Sequence, residues 1–293
     1  MRWLWVILLA ALPAQTQAAE AARRHIGPPT PAQVRRVVSL APSLSELVLA
    51  LGAGELLVGV TRFDDDPRTK SLPRVGGYND PEPEAVLALK PDLVLAQPAP
   101  ANRGPVETLG RVGVPIETFP LADVGQIEDA LLSVGALLGL PARASALRDQ
   151  LEAHRREVRE RTAKLSHPRV LLVFGLEPLV VGGAHSFAGE LLQDAGGVNA
   201  AQVEQPFARL SAEAAVGAAP DVLVLCGVDP PQGRPAVPGL EHARLVTLRS
   251  TALLHPGPRL GEALDDLLEA LRPSAARPKP APAEAAQRAP GGP

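Results

Sequence analysis

Glu84 and Glu213 are the charged residues whose placement repeats. Glu84 opens EAVLALKPDLVLA and Glu213 opens EAAVGAAPDVLVL. In each copy a proline stands seven residues after the glutamate, at Pro91 and Pro220, an aspartate follows, at Asp92 and Asp221, and a β-type run comes next. A carboxylate in the first turn of a helix favours the helix dipole by about 0.3–1 kcal/mol. That role alone makes first-turn acids common.

Residues able to do covalent or metal chemistry are sparse. GAGELL at Gly52 lacks the third glycine of a dinucleotide loop, and no GxxxxGK[ST] loop is present. Gly183-Ala184-His185-Ser186 lacks the spacing of a nucleophile elbow. The six histidines form no pair at metal-ligand spacing, and one cysteine cannot build a zinc site, so no metal site is expected. Cys226 lies in an apolar strand run and reads as a buried small hydrophobe. Asp64-Asp65-Asp66 could take a hard cation, but without a full oxygen-ligand pattern a solvated acidic turn is the expected reading.

The elements that must position these residues form two similar halves. RVVSL from Arg36 and RVLLV from Arg169 each lead as strands into one copy of the Glu–Pro–Asp pattern. The spacing predicts a helix after Ala41, with Ser43 or Ser45 as cap and Gly52 as stop, and strands over Leu56–Val60, Leu93–Ala96 and Val114–Phe119. Further helices are expected over 124–140 and, with Pro141 in the first turn, over 142–165. About 23 residues at 1.5 Å each span about 35 Å, enough to cross between two lobes. The sparse apolar positions of that helix also suit a solvated surface helix. The second half holds helices over 186–195, 210–218 and 258–271 and strands over 222–226 and 244–248. The boundaries read as a 1–19 export segment, a flexible 20–34 lead-in, an α/β lobe over 35–122, a helical connection over 123–166 and a second α/β lobe over 167–272. A disordered Pro/Ala-rich tail over 273–293 closes the chain.

The chain has 293 residues and a formal net charge of −3, with no basic cluster, which argues against a nucleic-acid partner. Met1-Arg2, an apolar run over Trp3–Leu12, Pro13 and small residues near Ala18 and Ala19 match a secretory signal peptide. That run is too short for about 30 Å of hydrocarbon. No cysteine follows it, so a lipid anchor is not expected, and a soluble periplasmic protein is.

The order VVSLAPSLSELVLALGAGELLVGVT, LPRVGGYNDPEPEAVLALKPDLVLA, GVPIETFP, then GGAHSFAGELLQDAGGVN and LSAEAAVGAAPDVLVL resembles the periplasmic substrate-binding proteins of ABC importers for cobalamin, haem and ferric siderophores. The likeness covers about Arg36 to Leu271 and is nearest to the cobalamin-binding members. It implies two Rossmann-like α/β lobes joined by a single long rigid helix, the class III periplasmic binding protein fold, and a binding protein without enzymatic activity or resident cofactor. The transported ligand would be cobalamin or a related metal chelate, the partner an ABC permease of the inner membrane, and the working form a monomer. Glu84 and Glu213 would dock on that permease. By the family's pattern Phe63, Tyr78 and Phe207 lie on loops at the cleft, with Arg62 and Arg209 beside them for ligand carboxylates or phosphate. Phe119, Phe174 and Phe187 are expected in the core. Cobalamin-type members often present Trp at the cleft, and the residues after the export segment contain none. Haem-type members use Tyr or His on iron, which makes Tyr78 and then His185 candidates. A siderophore would lean on Arg62, Arg103 and Arg209.

Overall fold

The computed structural model describes residues 22–233 and 235–272. The expected export segment and tail lie outside the described residues.

The first lobe is a five-stranded sheet. Its strands are β1 (Arg24–Ile26), β2 (Val37–Ser39), β3 (Leu57–Gly59), β4 (Leu93–Ala96) and β5 (Ile116–Thr118), in the order β1-β5-β4-β2-β3. All neighbours are parallel except β1, which pairs antiparallel on the edge. β1 falls inside the stretch expected to be a flexible lead-in. Its three residues are too few for a period, and pairing with β5, with Glu117 bonded to Arg23 and His25, orders them.

Helix α1 (Pro42–Ala50) buries Leu44, Leu47 and Val48 on the sheet. Pro42 occupies its first turn and neither Ser43 nor Ser45 caps it; both are buried within the helix. Gly52 ends it at φ +76°, where a side chain would be strained. Helices α2 (Pro83–Ala88) and α3 (Arg103–Arg111) complete the lobe.

Next come α4 (Val124–Leu137) and α5 (Pro141–Thr162). The 22 residues of α5 span about 33 Å. At its start Arg143 donates to the Ala50 carbonyl of α1. Further along it meets the second lobe. Arg155 pairs with Asp194 at 2.6 Å, and Arg159 reaches the same carboxylate at 3.1 Å. Both Arg155 and Asp194 are buried, so one face of the charged helix is interior.

The second lobe holds β6 (Arg169–Leu176), β7 (Leu179–Gly182), β8 (Val198–Asn199), β9 (Phe207–Arg209), β10 (Val222–Cys226) and β11 (Arg244–Leu248). The sheet runs β11-β10-β6-β7-β9, with β8 on β6. Strands β6, β10 and β11 are parallel and repeat the β2, β4, β5 arrangement; β7 and β9 add an antiparallel edge. Helices α6 (Phe187–Asp194), α7 (Ala212–Gly217) and α8 (Leu260–Leu271) cover it.

The sequence repeat is a structural repeat. Val37 pairs Leu93 in the first sheet and Val170 pairs Val222 in the second, the residues following Arg36, Asp92, Arg169 and Asp221. Asp92 Oδ2 accepts the backbone N–H groups of Arg35 and Arg36, and Asp221 Oδ2 accepts that of Arg169. The Arg36 guanidinium donates to the Leu89 carbonyl at 2.7 Å, and Arg169 to that of Ala218 at 2.7 Å. These carbonyls close α2 and α7, where orphan acceptors favour a cation. Lys90 and Ala219 hold matching left-handed φ values of 46° and 45° just before the prolines.

One buried apolar cluster is continuous from Leu44 of α1 through Val134 of α4 and Val158 of α5 to Leu191 of α6 and Leu264 of α8. Lobes sharing a core in this way have little freedom to hinge.

Candidate functional site

A cleft of about 590 Å³ opens between the lobes, within the range of about 300–1,000 Å³ usual for small-molecule sites. It lies beyond the carboxyl ends of the parallel strands, where open α/β sheets bind ligands. Residues after β2 (Ala41–Ser43), β4 (Gln97, Pro98) and β5 (Pro120–Ala122) form part of its lining. Phe187 follows them from the second lobe, its backbone N–H bonded to the Ala122 carbonyl at 2.8 Å.

Phe63 and Tyr78 line the cleft from the first lobe, and Phe174 and Phe207 from the second. Phe63 is 55% exposed and Phe207 41% exposed, so both rings offer free apolar surface. The Arg62 guanidinium lies 4.9 Å from the Phe63 ring centre, a cation–π contact. Arg62 is also bonded to Asp80 at 2.6 Å. Phe207 meets Phe174 edge-on, centres 5.0 Å apart, and Phe187 at 6.1 Å.

Tyr78 is held from both ends. Its hydroxyl donates to the Pro98 carbonyl at 3.3 Å, and the buried Asn102 amide donates to the Tyr78 and Gln97 carbonyls at 2.9 Å each. Burial pushes the Tyr78 phenol pKa up. The phenol is thus a neutral donor at neutral pH.

The three expected aromatics are therefore together. Arg62 and Arg209 are not among the residues lining the cleft. Arg209 is exposed, two residues along β9 from Phe207, so Phe207 and Arg209 sit on an edge strand and not on a loop. Arg103 opens α3 and His185 is an exposed residue ahead of α6; neither lines the cleft. Phe174, expected in the core, is half-buried and faces the cleft, because β6 extends beyond the sheet core into a hairpin with β7.

His255 and its neighbours Leu253, Leu254 and Pro256 also line the cleft. The segment carries no periodic pattern that would single it out. The His255 Nδ1 lies 2.7 Å from Glu46 Oε1 of α1, and this bond holds the imidazole pKa above its usual value. Cys226 is inert: burial pushes its thiol up to about 12.

The turn into α6 is built tightly. Ser186 caps the helix by accepting the Gly189 N–H at 3.0 Å. A Cβ on Gly189 would lie 2.2 Å from the Gly183 carbonyl oxygen. Gly189→Ala is expected to destabilise by about 1–3 kcal/mol, the usual cost of overpacking, read as a lower urea midpoint at unchanged slope.

The family model described as periplasmic binding protein matches residues 37–230. This chain belongs to that family. A vitamin B12-binding protein of Yersinia pestis is 33% identical to the binding protein over 200 residues, 67% of this chain and 71% of the relative. The apo periplasmic haem-binding protein RhuT from Roseiflexus sp. RS-1 superposes with a TM-score of 0.71 at 30% identity, over 80% of this chain and 97% of that one. A periplasmic haem-binding protein from Pseudomonas aeruginosa gives a TM-score of 0.70 at 32% identity, over 83% and 94%. The two-lobed fold is that of class III periplasmic binding proteins. The family's members are substrate-binding proteins of ABC importers, and the binding protein is not an enzyme. Among the described residues no helix is long and apolar enough to cross a membrane.

Proposed function

We propose that this protein captures a cobalamin-type metal chelate in the interlobe cleft of the periplasm and delivers it to the permease of an ABC importer. The observation that carries this reading is the aromatic pair on each wall, Phe63 with Tyr78 facing Phe174 with Phe207. Corrin and porphyrin rings present wide apolar faces, which aromatic side chains cover well. The sequence likeness to the Yersinia vitamin B12-binding protein supports the corrin. Arg62, stacked on Phe63, and Arg209, two residues along β9 from Phe207, would meet ligand carboxylates or phosphate.

Haem is the second reading. Tyr78 and His255 both line the cleft and carry groups able to ligate iron, and the two solved relatives above are haem-binding proteins. Visible absorbance separates the two ligands. Cyanocobalamin retained through gel filtration with an unaltered spectrum supports the corrin. A shifted Soret band with hemin, and no retained cobalamin, moves the assignment to haem and makes Tyr78 the first residue to replace.

Docking would use Glu84 and Glu213. Both are exposed in the first turns of the equivalent helices α2 and α7. One turn on, each helix exposes an apolar residue, Leu87 at 39% and Val216 at 41%. An acid beside an apolar contact at two equivalent points suits a two-fold partner with matching arginines.

A further inference from the structure

Glu46, Asp65 and His255 converge beside the cleft from three separate stretches of chain. One potential ligand atom from each lies within 4.8 Å of the others. Glu46 comes from α1 of the first lobe, Asp65 from the loop after β3, and His255 from the loop between β11 and α8 of the second lobe. We propose that these three residues bind a zinc-type divalent cation that clips the two lobes together at the margin of the cleft.

Three observations carry this site. Glu46 is the first. Its side chain is only 11% exposed, yet its Oε2 is buried with no hydrogen-bond partner. A buried carboxylate oxygen without a donor costs free energy that a cation would recover. The second is the local charge. The hollow beside α1 is lined by four carboxylates, Glu46, Asp65, Asp66 and Glu262, and two guanidinium groups, Arg68 and Arg259. Each guanidinium is spoken for: Arg68 by Asp66 at 2.7 Å and Arg259 by Glu262 at 2.7 Å. Glu46 and Asp65 are left facing His255 with two negative charges. A proton on the imidazole neutralises one of them; a dication bound to neutral imidazole neutralises both.

The third observation is the donor set. One imidazole nitrogen with two carboxylate oxygens is a zinc-type set, whereas calcium and magnesium take oxygen throughout. Three protein ligands leave one position for water. The two backbones approach closely beside the cluster. A Cβ on Gly257, two residues after His255, would lie 3.2 Å from the Ser43 carbonyl of α1. The neighbouring acids have other tasks: Asp64 accepts from Thr61, and Asp66 caps a short helical turn at Arg68.

The test is calorimetric titration of the untagged, chelator-treated protein with zinc chloride, with no tetrapyrrole present, so that the outcome is independent of the transported ligand. One ion per chain is expected, with affinity lowered at least about tenfold in Asp65→Asn and in His255→Ala. Asp65 is exposed, so Asp65→Asn keeps the fold and holds the test even where His255→Ala is unstable. The melting temperature should rise with zinc in the wild type and stay fixed in Asp65→Asn. No zinc binding by the wild type, or equal binding by Asp65→Asn, overturns the site and leaves Glu46–His255 a plain interlobe ion pair.

Discussion

Replacing both Glu84 and Glu213 with alanine is expected to stop uptake while leaving ligand affinity unchanged. The two carboxylates are exposed in α2 and α7, away from the cleft lining, so the change does not reach Phe63, Tyr78 or Phe207. Each lost charge-assisted contact with a permease weakens docking by about tenfold or more, and two together by about a hundredfold or more. Growth on limiting ligand, together with titration of the purified double variant, checks both halves. Each single variant should show partial uptake, because one anchor still sets position but not register. Normal uptake by the double variant would refute the docking role.

Asp194→Ala is expected to cost up to about 3–5 kcal/mol of stability, because it removes the closest partner of the buried Arg155 and leaves it only the longer hydrogen bond to Glu152 at 3.3 Å. Asp194 accepts from Arg155 at 2.6 Å and Arg159 at 3.1 Å, and the neighbouring Glu190 carboxylate is more distant at 3.7 Å. The pair fastens α5 to the end of α6, the first helix of the second lobe, so the loss falls on the joint between the lobes. Against a total stability of about 5–15 kcal/mol, the variant should show a markedly lower urea midpoint. Asp194→Asn keeps the volume and removes the charge. A loss in Asn as large as in Ala assigns the effect to the charge; a midpoint unchanged in both would contradict the account of the joint.

The duplicated Glu–Pro–Asp pattern was legible because its residues work locally. Asp92 and Asp221 bind backbone N–H groups at the start of the partner strand, and Arg36 and Arg169 close the helices. Those short-range roles leave a short-range signature. The long α5 was legible from its proline and its uninterrupted helical composition, but its buried face was not: Arg155 looks like any surface charge until Asp194, 39 residues on, is seen beneath it. The place of Phe63, Tyr78 and Phe207 on the cleft wall was legible through the family pattern. Phe174 packs against the core as expected but also faces the cleft, which strand composition alone does not reveal because it does not say which strand outruns its sheet. His255 and Glu46 stand 209 residues apart, and no spacing rule connects them. β1 and β9, of three residues each, are too short for a period and exist through their pairing.

The most direct test of the central claim is calorimetric titration of the protein with cyanocobalamin and with hemin, wild type beside Phe63→Ala and Phe207→Ala. The wild type should bind one of the two ligands one-to-one. Each variant should bind it about tenfold to a hundredfold more weakly, the worth of one buried aromatic face. Binding of neither ligand, or equal binding by all three proteins, would contradict the assignment of the aromatic cleft as a tetrapyrrole site.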